Sequence, residues 1–220
     1  MEKPQSALDK NSSRRMRFPD EESRFLWLSM LLDSYAIIDE GISVAVVKEE
    51  TGRNIKLACK EGCDNCCRVN KDIPVYPIEL VGIYWFSTEK AAQPIRETLK
   101  KQLSSHTKSD PCPFLINNSC SVYIVRPASC RQFGVFNKPC DKGEDPYYTR
   151  RDDVLTPIED YTKKAFLATL PFYGITDEKE QIHFIENNLI HAQAVNLQAY
   201  DWRKLTKIMD DFDSKKIQGI

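Results

Sequence analysis

The chain predicts a mainly α fold in which helical segments flank a metal-organised, cysteine-rich loop core. Three observations predict it. Apolar residues recur at helical spacing before and after the middle third, and no stretch alternates long enough to argue for a large sheet. All eight cysteines of the 220 residues fall between Cys59 and Cys140, a Pro-rich and turn-rich stretch.

Residues 1–18 are rich in Ser, Lys, Arg and Asn, lack periodicity, and read as a disordered tail. Residues 19–220 read as a single domain. Its metal-binding region lies at about 55–140 and its helical C-terminal part at about 155–215. A long helix is expected from Asp20, a capping residue followed by Glu21 and Glu22, whose charge suits a first turn. Leu28, Leu32, Tyr35, Ile38, Ile42 and Ala45 form its stripe. Gly52 supplies a stop, and Gly41 a bend or break. The first cysteine group follows as a loop, from Cys59 through Cys63 to Cys66 and Cys67, with Gly62, Asp64 and Asn65 as turn formers.

Pro77 suits the first position of a helix running through Leu80, Ile83, Tyr84 and Phe86. Pro94 starts another, with Ile95, Leu99 and Leu103 on one stripe. Residues 106–152 are mostly loop, and Asn117-Asn118-Ser119 marks a turn. Thr156, Pro157 and Glu159 read as a capping box. Thr176, Asp177 and Glu178 open a helix striped by Ile182, Ile185, Leu189 and Ala192. The pattern continues through Leu205, Ile208 and Phe212 after a break near Asp201.

The formal net charge of −1 provides no global positive field, which argues against nucleic acid as a partner. The basic run from Arg14 to Arg17 is too short to change this. The longest apolar runs, such as Ile42 to Val47, are far shorter than the ~20 residues of a membrane span, so no membrane association is expected. Residues 1–20 have no apolar core of a secretory signal, and a cytoplasmic location is expected. In a reducing compartment, clustered cysteines read as metal ligands before they read as disulfides.

Two groups carry the chemistry. Cys59, Cys63, Cys66 and Cys67 fall within nine residues, and Cys112, Cys120, Cys130 and Cys140 follow. Thiolates at short, uneven spacing suit soft or borderline metals, so a zinc or iron ion is the expected cofactor. Eight thiols satisfy two four-ligand sites, or one four-iron iron–sulfur cluster with four thiols over. Neighbouring side chains on an extended chain point to opposite sides. Either one of Cys66 and Cys67 is then a packed bystander, or the two serve different metals or bridge a polynuclear site.

These residues resemble the cysteine-cluster family described as zinc- or iron-chelating, sometimes called YkgJ-like. Its pattern is a Cys-rich loop ending in a Cys-Cys pair, then Pro-Cys-Pro, then Cys-x-x-Tyr-x-x-Arg-Pro-x-x-Cys-Arg. Here these are Cys59, Cys63, Cys66 and Cys67; Pro111, Cys112 and Pro113; and Cys120, Tyr123, Arg126, Pro127, Cys130 and Arg131. The resemblance covers residues 59 to 134 and implies metal binding. Cys140 lies outside it and reads as an extra ligand or a free thiol. The same block is similar to that of flagellin lysine N-methylases, which use S-adenosylmethionine, although no Gly-rich methyl-donor loop is present. A protein lysine N-methyltransferase or an iron–sulfur oxidoreductase is therefore the enzyme alternative to a metal-binding protein. A metal-stabilised interaction module is the third reading.

Four thiolates around one divalent ion leave a local charge of about −2, which nearby guanidinium groups offset. Arg126 and Arg131, beside Cys130, are the residues expected to do so. His183 and His191 on a helix, and His106 in a loop, read as surface polar groups rather than ligands.

Overall fold

A computed structural model of the chain describes residues 15–60 and 62–218, and these are mainly helical. The first helical pattern is split. α1 (Pro19–Arg24) and α2 (Leu26–Arg53) are separated at Phe25, whose backbone is extended at φ −130° and ψ 96°. The break expected at Gly41 does not occur. A Cβ there would lie 2.5 Å from the Cβ of Tyr161, so this glycine serves close approach of α2 to Tyr161. α2 runs past Gly52 and ends at Asn54, which takes the left-handed conformation at φ 53° that Asn tolerates.

Residues 1–14 of the expected tail lie outside the described residues, whereas residues 15–18 are docked. Arg15 donates to Glu22 at 2.7 Å and pairs with Asp33. The Phe18 ring meets Trp85 edge-on at 5.1 Å.

α3 (Asn65–Val69) follows the first cysteine turn, and β1 (Pro74–Val75) leads into α4 (Pro77–Trp85). Pro77 starts α4 as expected, and the Glu79 carboxylate reaches back to accept the Tyr76 N–H at 3.0 Å. A π-helical turn, Phe86–Lys90, extends this helix before α5 (Ile95–Ser105). Leu99 and Leu103 of α5 are buried, but Ile95 is exposed.

β2 (Leu115–Ile116) and β3 (Ser119–Cys120) form a hairpin closed by Asn117 and Asn118, both at positive φ. Paired left-handed residues suit a two-residue hairpin turn. The short α6 (Ala128–Arg131) and α7 (Pro146–Thr149) punctuate the loop region. α8 (Glu159–Leu167) begins after Ile158, with no side-chain cap, so the box expected from Thr156 does not form. α9 (Glu178–Glu186) is capped by Asp177, which accepts from the Glu180 N–H at 3.0 Å. β4 (Val195–Asn196) pairs antiparallel with β1, and α10 (Arg203–Gln218) closes the chain after the break near Asp201. On the expected C-terminal stripes Leu205 is buried, while Ile182, Leu189 and Ile208 are exposed.

The main core joins Leu28, Leu31 and Leu32 of α2, Ile78 and Ile83 of α4, Leu99 and Leu103 of α5, and Trp202, Leu205 and Met209. Phe114, Val122 and Val125 from the cysteine region enter the same core. The cysteine loops are therefore anchored by apolar contacts as well as by whatever their thiols bind. No helix among the described residues is long and apolar enough to cross a membrane.

Candidate metal centre

Three short extended stretches bring the two cysteine groups together. The Ala58 N–H donates to the Val135 carbonyl at 2.7 Å, and that of Asn137 to Lys56 at 2.9 Å. On the other side of residues 134–136, the Phe136 N–H donates to Asp153 and that of Leu155 to Gly134, both at 2.8 Å. This pairing sets Cys59 against the second group, where the Val135 N–H points at its sulfur at 3.3 Å.

Gly62, at φ +81°, turns the chain, and the exposed Cys63 follows it. Cys66 and Cys67 then lie on α3 rather than in an extended loop, which corrects the premise that their side chains oppose each other. Successive side chains on a helix diverge by only about 100°, so both thiols reach the same region. Asn65, buried at the start of α3, fastens this helix to the Cys140 loop. It donates to the Glu144 carbonyl at 2.6 Å and accepts the Gly143 N–H at 3.0 Å. The Cys112 N–H donates to the Cys67 carbonyl at 2.7 Å, joining α3 to the Pro-Cys-Pro turn. Cys120 lies on β3 opposite Leu115, and Cys130 on α6.

All eight cysteines are free thiols. Their mutual influence sorts them. Cys59 feels Cys63, Cys140 and Cys66. Cys67 is hydrogen-bonded with Cys112 and Cys66 and feels Cys120. Cys130 feels Cys120, Cys67 and Cys66. Two neighbourhoods result, and Cys66 stands between them.

Burial pushes the Cys59 thiol up to about 11, helped by its thiol neighbours. The hydrogen bond with Cys112 leads in pushing Cys67 up to about 12. Cys66 is raised strongly, first by its hydrogen bond with Cys67 and then by burial. Burial raises Cys130 well above its ordinary value. It also raises Cys120, against the pull of Arg126 and Arg131. Such thiols are costly to ionise side by side unless a cation joins them. As neutral groups they pack and hydrogen-bond to one another. Accordingly, among the described residues no three Cys, His, Asp or Glu side chains are arranged to hold a metal ion as they stand. The donor set itself fits a soft ion, since it is thiol-rich and confined to two neighbourhoods, with Cys63 alone among the eight exposed.

The two expected arginines do not donate to sulfur. Arg131 donates to Asp39 at 2.7 Å, to the Arg126 carbonyl at 3.1 Å and to the Ile124 carbonyl, and it stacks on Tyr35 at 3.9 Å. Arg126 donates to the Tyr123 carbonyl at 3.0 Å and stacks on that ring at 3.8 Å. Their influence on Cys120 is electrostatic. The arginine that reaches a sulfur is Arg150, 3.8 Å from Cys140, which also pairs with Glu144 at 2.8 Å and Asp153 at 3.1 Å. Sequence reasoning missed Arg150, which lies outside the cysteine spacing, and read Asn65, which lies within it, only as a turn former. It also missed Glu79, whose carboxylate accepts the Ala128 N–H at 2.7 Å and so holds the start of α6 beneath Cys130.

The histidines stand apart from the thiols. His106 lies 3.1 Å from the Gln198 carbonyl and His183 beside Asn187. His191 meets the Tyr76 hydroxyl at 2.6 Å, a half-buried pairing rather than a plain surface role.

Residues 58–153 match the family model CxxCxxCC, described as "Putative zinc- or iron-chelating domain". The match takes in all eight cysteines, Cys140 included, and ends three residues after Arg150. No curated protein and no solved structure matches the chain.

Proposed function

We propose that this chain, whose residues 58–153 carry a cysteine-cluster domain of the zinc- or iron-chelating kind, holds metal at two thiolate sites. The first would use Cys59, Cys63 and Cys140, with Cys66 as its fourth thiol. The second would use Cys67, Cys112, Cys120 and Cys130. The observation that supports this reading is that Cys59 neighbours Cys63 and Cys140, while Cys67 neighbours Cys112 and Cys120, and Cys130 neighbours Cys120 and Cys67. Cys66 touches both neighbourhoods and is assigned to the first to complete its four donors. On this partition Cys66 and Cys67, neighbours on α3, would serve different ions.

A bound zinc or iron ion would supply the positive charge that lets these thiols ionise, and with it a fold-stabilising crosslink. The protein's own residues do the rest. Asn65 and the 56–59/134–137 pairing bring the donors within one region. Arg150 beside Cys140, with Arg126 and Arg131 near Cys120, offsets the thiolate charge. Eight reduced thiols suit a reducing, cytoplasmic compartment.

Metal analysis of anaerobically purified protein tests the reading. Up to two zinc or iron ions per chain are expected, and a brown colour would identify an iron–sulfur form. Cys59→Ser and Cys130→Ser should each lose part of the metal, in different sites, so that the double variant loses nearly all. Less than a tenth of an equivalent in the wild type would refute metal binding. Equal, non-additive losses would refute the two-site partition.

A further inference from the structure

Beside the second thiol group lies a cleft that metal binding leaves unused. Its volume is about 340 Å³, and Arg15, Arg126 and Arg131 line it, together with Asp39, Tyr35 and Tyr123. Two of these arginines are neutralised. Arg15 pairs with Glu22 and Asp33, and Arg131 with Asp39. Arg126 is not. Among the described residues no carboxylate forms an ion pair with it, and its recorded hydrogen bond goes to the Tyr123 carbonyl. Burial and the adjacent Arg131 both weaken its hold on its proton, as expected of an unneutralised cation partly removed from water.

A guanidinium offers five N–H donors in a planar fork, and the Tyr123 carbonyl occupies only part of it. The aromatic face of Tyr123 fixes the plane of that fork. Met16, Leu32, Ala36 and Ile124 provide apolar wall, and the volume falls at the small end of the range for ligand sites. We propose that this cleft binds a small organic oxyanion, a carboxylate or phosphate carried on a compact apolar body, with Arg126 as its principal partner. Arg15 and Arg131, already held by their acids, shape the cleft, and the pairing with Arg131 offsets the Asp39 carboxylate in its lining.

The proposal goes beyond metal chelation and does not rest on it. Calorimetric titration of the full chain, with its native metal and at fixed ionic strength, uses benzoate and phenyl phosphate as probes. Saturable binding of at least one is expected, and the preferred probe identifies the headgroup. Arg126→Ala should weaken binding by about ten- to a hundredfold. Arg126→Lys should recover only part, because it keeps the charge and loses the fork. Ala36→Phe fills the cleft from α2 while leaving every arginine and cysteine in place. It should abolish binding with metal content and far-UV circular dichroism unchanged. No saturable binding of either probe overturns the proposal, as does wild-type affinity in Arg126→Ala or Ala36→Phe. Metal content, measured on the same samples, reports separately on chelation.

Discussion

At Glu79 two demands oppose each other. Its two carboxylate oxygens accept backbone N–H groups from Tyr76 and Ala128, which favours the ionised form. Burial opposes this and prevails, raising the carboxyl to about 7 from an ordinary 4.5. The folded state thus holds its proton more tightly than the unfolded chain. The stability linked to this group is fully present below pH 4.5 and is lost as pH rises through 7. The loss is on the order of 3 kcal/mol at most. Gln at this position does not titrate, and its amide leaves one buried N–H unmet at a cost of about 1–3 kcal/mol. Glu79→Gln should therefore be less stable at pH 5, with the gap narrowing toward pH 7.5. Melting curves across this range test it, and parallel pH profiles would show that Glu79 does not titrate there. Nothing in the sequence marked this residue. Its partner Ala128 is 49 positions away, and a carboxylate in the first turn of a helix ordinarily signals only a capping preference.

At the scale of elements, α2 and α8 depend on one missing methyl. Alanine at Gly41 would gain about 1 kcal/mol of helix propensity, but its Cβ would overlap the stem of Tyr161. That stem cannot swing away without moving α8, and overpacking of this kind costs about 1–3 kcal/mol. Gly41→Ala should therefore lower the melting temperature by a few degrees. Gly52→Ala, with nothing within 4 Å of the new Cβ, should raise it slightly. Thermal denaturation of the two variants separates the effects, and stabilisation by both would contradict a tight α2–α8 contact.

The same position shows where the sequence was legible. Pro77 and the Leu99/Leu103 stripe were readable because their signals are local. Gly41 was misread as a break because its reason lies 120 positions away, at Tyr161. Cys66 and Cys67 were read as extended loop residues because a five-residue helix is too short to show periodicity. The clustering of the cysteines was visible in the sequence, but not that Cys140 neighbours Cys59 and Cys67 neighbours Cys112. What brings the two groups together was not visible either, since backbone pairings of two or three residues leave no pattern in the side chains.

At the scale of the molecule, the cysteine region has two sources of order. Phe114, Val122 and Val125 tie its middle to the main core, whereas Phe136 and Leu155 join a smaller, separate cluster with Ala45 and Val46 of α2. The first thiol neighbourhood lies beside the backbone pairing of residues 56–58 with 135–137. Removing metal with a chelator under reducing conditions should therefore not unfold the whole chain. It should lower the melting temperature by about 5 °C or more. Hydrogen exchange should speed up in residues 56–69 and 130–155 while α5 and α10 keep their protection. Unchanged exchange in those segments after complete metal removal would show that the thiols do not depend on metal for their order.

The pairing of residues 56–58 and 153–155 on either side of 134–137 has one more consequence. The chain enters the cysteine region at residue 58 and leaves it at 153, and both points flank the same extended stretch. The long α2 before it and α8 after it pack directly against each other, which holds those two ends together. The segment between them is nevertheless not detachable, because Ile78, Ile83, Leu99 and Leu103 within it belong to the main core. Exchanging it for a short connector would leave Leu28, Leu31 and Leu32 of α2, and Leu205 and Met209 of α10, open to water.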